Sequence, residues 1–98
     1  MWLWVAAAFA CDTPYAKDAL AADMGAAETG LREMDDVGFG AAVRRMEDNL
    51  ACLDGVVAPA AFAATYRLIG AGHWLLRDDG IGAGRWFRAA AELDPRYD

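Results

Sequence analysis

Asp35-Asp36-Val37-Gly38-Phe39-Gly40-Ala41-Ala42-Val43-Arg44-Arg45-Met46-Glu47-Asp48-Asn49-Leu50-Ala51-Cys52-Leu53-Asp54-Gly55 is the stretch on which the fold turns. Within it Phe39, Val43, Met46, Leu50 and Leu53 recur at spacings of 4, 3, 4 and 3 residues. That period keeps side chains on one stripe of a helix with 3.6 residues per turn. The aspartate pair ahead of the stripe supplies capping oxygens, and Asp54-Gly55 supplies a stop. Gly38 and Gly40 fall near the helix start, where close approach of a second helix costs least.

Towards the amino terminus, Leu20, Met24, Ala27, Leu31 and Met34 repeat the same spacing. Thr13-Pro14 predicts the start of this helix, with threonine able to cap free amides and proline pre-set for the first helical position. Two matched stripes joined by a short link must pack antiparallel, as a hairpin. Towards the carboxyl end, Pro59 opens a third helix to about Arg77. There Phe62, Tyr66, Leu68, Ile69, Trp74, Leu75 and Leu76 cannot share one stripe, so the helix is expected to be buried on several sides. Asp78-Asp79-Gly80 ends it and caps a fourth, with Trp86, Ala90, Leu93 and Tyr97 on one side and Ala83, Phe87 and Ala90 on another. Asp94-Pro95 stops that helix.

The reading is therefore all-α: four helices in two antiparallel helix-turn-helix hairpins, residues 12–54 and 58–97, within a single domain spanning 12–98. A compact four-helix bundle and two stacked hairpins fit this pattern equally.

Residues 64–97 resemble a tetratricopeptide repeat (TPR). Ala83, Phe87, Ala90 and Glu92-Leu93-Asp94-Pro95 stand at the small, aromatic, small and proline positions of that family's second helix, and Trp74, nine residues before Ala83, matches the large aromatic of its first. Ala83 and Ala90 would let two helices approach closely while Phe87 fills the gap between them. Arg67 departs from the pattern where the family has an aromatic, Gly70 where it has leucine and Ala71 where it has glycine. The first hairpin lacks the signature and reads as a degenerate repeat or a cap. The resemblance implies a fragment of an α-α superhelix, whose arrays need about three units and a polar closing helix to stand alone. An uncapped last helix would then be covered by the amino-terminal apolar segment, by self-association with another copy, or by a continuation of the chain.

Residues 1–11 hold the uncharged run Trp2-Leu3-Trp4-Val5-Ala6-Ala7-Ala8-Phe9-Ala10 and then Cys11. Nine helical residues reach only ~14 Å, against the ~30 Å of a hydrocarbon core, so the run cannot span a membrane alone. Ala8-Phe9-Ala10 fits the small-x-small pattern of a signal-peptide cleavage site, and a cysteine directly after it resembles a bacterial lipoprotein site. A basic n-region is missing, and Ala8 stands where a lipobox prefers leucine. Three readings stay open: simple secretion, a lipidated or processed Cys11, and an uncleaved apolar first segment. The first two place the protein in the periplasm or cell envelope, the third in the cytoplasm. Cys52 is the only other cysteine. It could pair with Cys11 in an oxidising compartment, but within a helical apolar pattern a buried free thiol is the commoner outcome.

Of 98 residues, 57% are hydrophobic, many of them alanine, which favours helix and contributes little buried area. Residues 12–54 hold ten acids and four bases, and residues 55–98 five of each, so the net charge of −6 resides in the first half. Such a surface repels phosphate backbones and argues against nucleic acid. It leaves open a basic partner or simply a solvated acidic face.

Chemistry is sparse. His73 is the only histidine, which rules out a two-histidine metal site; a role beside Asp78 or Asp79 is conceivable, but its apolar neighbours suit a core or groove-edge residue. Gly80-Ile81-Gly82-Ala83-Gly84 lacks the strand and lysine of a phosphate loop. Serine is absent, and Thr13, Thr29 and Thr65 have no nearby base. Arg44 is expected to pair with Asp48 one turn on, and Arg85 and Arg88 to line an outer face. Neither catalytic residues nor a cofactor or metal is therefore expected. The function expected is a TPR-type protein-interaction module for a protein or peptide partner, on an exported protein, touching a membrane only through a signal or lipid anchor. The alternative is a structural spacer, the amino-terminal fragment of a larger membrane-anchored protein.

Overall fold

A computed structural model describes residues 11–95. The expected export segment therefore lies outside the described residues, Cys11 excepted, as does Tyr97. The architecture is all-α, with four helices: α1 (Lys17–Arg32), α2 (Asp36–Asn49), α3 (Pro59–Arg77) and α4 (Gly80–Leu93). α1 packs on α2, α2 on α3 and α3 on α4, with a smaller contact between α1 and α3, and α1 and α4 make no comparable contact with one another. Of the two arrangements the pattern allowed, this is the stacked pair of hairpins rather than a closed bundle.

α1 starts later than Thr13-Pro14 predicts. Its N-cap is Ala16, which has no side-chain bond to offer. The reason is tertiary: Tyr15 is drawn into the core, and Tyr15–Ala16 (β1) runs extended to pair in parallel with Leu53–Asp54 (β2), Tyr15 opposite Leu53. The helical stripe holds at Leu20 and Ala27, both buried, but Met34 lies beyond the helix end with a left-handed backbone, φ 56°, and is 87% exposed. The Asp35 amide donates back to the Gly30 carbonyl at 2.8 Å and closes this turn.

Asp35 caps α2, its Oδ1 accepting from the Gly38 amide at 3.0 Å. The close approach between α1 and α2 occurs at Gly30, not at Gly38 or Gly40. A Cβ on Gly30 would stand 2.8 Å from the backbone nitrogen of Phe39, an atom that cannot move aside. α2 ends at Asn49 and continues as a 3₁₀ turn, Leu50–Cys52, so the last two residues of its predicted stripe leave the helix. Asn49 Nδ2 donates to the Arg45 carbonyl at the point of change.

α3 has the predicted bounds, with Pro59 in its first turn. It is buried along most of its length, at Ala63, Thr65, Leu68, Ile69, Gly70, Gly72 and His73. Its last turn departs from the expectation of all-round burial: Trp74, Leu75 and Leu76 are exposed. Asp79 then caps α4 by accepting from the Gly82 amide at 2.9 Å. The main core comes from β1, α1, α2 and α3, with Met46 and Ile69 fully buried at its centre, and α4 adds only the half-buried Trp86 to its edge.

Candidate functional site

The four helical residues of the repeat-like signature lie on the second hairpin but share no single environment. Ala83 and Ala90 are buried where α4 meets α3, and Pro95 follows the buried Asp94 just past the helix end. Phe87 packs against Gly70 across the inter-helix gap but stays 42% exposed, and Trp86 shares the gap with it, its ring edge-on to Tyr66 at 5.3 Å. Gly70, the family departure, makes this packing fit: a Cβ there would lie 2.7 Å from the Phe87 ring. Trp74 is 59% exposed, and with Gly80, Ala83, Gly84 and Phe87 it lines a shallow outer hollow of about 280 Å³.

A second apolar hollow, also about 280 Å³, lies between the hairpins at their turns, lined by Gly30, Leu31, Met34, Phe39, Leu75 and Leu76, with Asp36 at its edge. Among the described residues, seven of the ten exposed large hydrophobics fall within residues 31–37 and 74–81, the segments about these two turns. This end of the molecule is the apolar one. Periodicity could not reveal it, because Met34 and Leu31 read as stripe and Trp74, Leu75 and Leu76 read as core.

His73 is buried and anchors a polar cluster that the sequence only half suggested. Its Nδ1 lies 2.9 Å from Asp79 Oδ2, so Asp79 rather than Asp78 is the partner, and its Nε2 lies 3.1 Å from both carboxylate oxygens of Glu47 on α2. Arg77 flanks Glu47 at 3.7 Å. Glu47 was legible only as an exposed helix acid, since nothing in its spacing relates it to residue 73. The bond from the Gly82 amide, and after it the contact with His73, hold the Asp79 carboxyl below its ordinary range. The cluster ties α2, α3 and the start of α4 together, and its hydrogen-bond partners include no hydroxyl or thiol that could act as a nucleophile. Among the described residues no group of three or more His, Cys, Asp or Glu side chains is placed to hold a metal ion.

A second polar cluster closes the opposite end. The Tyr15 hydroxyl donates to Asp23 Oδ2 at 2.5 Å, and Arg45 Nε donates to Asp23 Oδ1 at 2.8 Å. Burial first, and then the bond to Asp23, push the Tyr15 phenol above its ordinary range. Arg45 of α2 thus pairs across to α1, and among the described residues the expected Arg44 to Asp48 pair is not formed.

Cys11 and Cys52 form a disulfide, contrary to the expectation of a free thiol at Cys52. The early end of α2 is the cause, because it moves Cys52 out of a helix and into the turn beside β1. A lipid thioether at Cys11 would need the same sulfur atom and is chemically exclusive with this bond. No described helix is long and apolar enough to cross a membrane. No family model, curated protein or solved structure matches this chain.

Proposed function

We propose that this chain is a non-catalytic protein-interaction module of the TPR type, carried on an exported protein. One observation carries the reading: the concentration of exposed Leu, Met, Val, Ile and Trp side chains about the two hairpin turns. Contiguous apolar surface of this kind, rimmed by polar groups, marks a contact site for another macromolecule. The stacking of α2 on α3, which places two hairpins side by side, supports the comparison with helical repeats. Export is supported by the Cys11–Cys52 bond, since disulfides persist in oxidising compartments. The polar groups that could have served chemistry are spent on each other, both ring nitrogens of His73 being engaged.

The test is capture of partners from the cell envelope on the immobilised protein, run beside a Met34→Gln/Leu75→Gln variant. Both positions are exposed, so the variant keeps its fold. Partners retained by the native protein and lost by the variant are expected; equal capture by both, or none by either, overturns the reading. Sequencing the mature amino terminus tests export, and an intact Met1 in native material would refute it.

A further inference from the structure

We infer that the hollow between the two hairpin turns receives one face of a cationic amphipathic helix, a partner chemistry that rests on the interaction-module reading above and narrows it. The floor is apolar and comes from both hairpins: Leu31, Met34 and Phe39 from the first, Leu75 and Leu76 from the second. Beyond Leu76 and Asp36, which both hollows share, lies a second depression of about 360 Å³ reached past Val37 and Val43. Two adjoining hollows suit an occupant that presents apolar side chains on successive turns. A helix does so every four residues, about 6 Å along its axis.

Charge selects among the occupants. Across residues 32–36 and 77–79, five carboxylates (33, 35, 36, 78 and 79) stand against the guanidiniums of Arg32 and Arg77. Arg77 already faces Glu47 and Arg32 donates to the Thr29 hydroxyl, while Asp35 and Asp79 accept from the Gly38 and Gly82 amides, so the exposed Glu33, Asp36 and Asp78 carry the acidic rim. A second copy docking through the same face would bring this acidic rim against itself, because a twofold interface pairs each patch with its own image. An anionic lipid surface would meet the same repulsion. A helix with lysines or arginines flanking its apolar stripe meets attraction on the Glu33 to Asp36 side. The second depression is different, being lined by Arg44 and Arg77, so the basic residues of the occupant belong over the first.

The probe is a 14-residue amphipathic Leu/Lys helix, with two controls: a peptide of identical composition in which Leu and Lys alternate, and a Leu/Glu helix. Titration by fluorescence anisotropy is expected to show the Leu/Lys helix binding at least about tenfold more tightly than either control, a difference of ~1.4 kcal/mol. Leu75→Gln and, separately, Met34→Gln each weaken it about tenfold, Asp36→Asn about threefold, and Arg44→Gln not at all, as expected of apolar anchoring with a charged rim. Circular dichroism of each variant shows that helix content is kept. Equal binding of the alternating peptide, indifference to Leu75→Gln, or a dimer at micromolar concentration that depends on Met34 would each overturn the inference. Envelope partners captured through Met34 and Leu75, with no binding of the Leu/Lys helix, would sink this inference alone. Failure of both experiments sinks the interaction reading as well.

Discussion

Two residues hold conformations or environments their side chains would not choose. Met34 sits at the left-handed position after α1, where an L side chain costs about 1–2 kcal/mol. Its exposed side chain returns little of that through packing. Met34→Gly is therefore expected to raise stability by about 0.5–1 kcal/mol, the relief of strain exceeding the extra entropy of a glycine in the unfolded chain. Thermal unfolding would show this as a midpoint a few degrees higher, and a lower midpoint would contradict the assignment of strain. The same substitution removes a wall of the apolar hollow, so stability and docking are expected to move in opposite directions. Tyr15 is the second case. Its phenol is raised above the ordinary value of 10.0, so the folded protein holds the proton more tightly than the unfolded chain does. Its contribution to stability is complete below about pH 10 and is lost as the pH rises further. Between pH 9 and 11 the native protein should lose stability more steeply than Tyr15→Phe, as measured by urea unfolding at each pH; parallel slopes would remove Tyr15 as the cause.

The elements differ in how much of them local sequence explains. α3 has the bounds its proline and its Arg77-Asp78 end imply, because those signals act within one turn of the chain. α1 and α2 do not have theirs. Each yields residues at the disulfide end, α1 at its start and α2 at its finish, to the short parallel pair Tyr15–Ala16 and Leu53–Asp54. That pair is only two residues long and needs an external constraint. The Cys11–Cys52 bond provides it by closing a chain segment with a sequence separation of 41. In the chain-entropy account a closure of this size contributes about 3–4 kcal/mol. Reduction, or Cys11→Ser with Cys52→Ser, is expected to lower the unfolding midpoint by on the order of 10–20 °C. The extended pairing should be lost first, so that Tyr15 becomes accessible, and an unchanged midpoint with Tyr15 still protected would show that the pair stands without its bond.

For the molecule as a whole, α4 is the helix with the least apolar side-chain volume fully buried. It packs mainly on α3, fully buries only Ala83 and Ala90, and leaves Ile81, Phe87 and Leu93 exposed. Local opening follows the number of buried apolar contacts. Amide hydrogen exchange is accordingly expected to be fastest in α4 among the four helices, with Ile69 and Met46 at the slow extreme; uniform protection across all four would argue for a more cooperative unit. The sequence by itself determined the helical class, the number of helices, the pairing into hairpins and the capping roles of Asp35 and Asp79. All of these arise from periodicity and from interactions within about four residues. Only the tertiary structure decided that the hairpins stack in a row, that Cys52 pairs with Cys11, that Glu47 meets His73 across 26 residues, and that Trp74, Leu75 and Leu76 face outward. A stripe shows which residues are apolar but not which of them find a neighbour. At the turn end of α3 the next helix is already past, so the same apolar chemistry that builds the core elsewhere becomes surface.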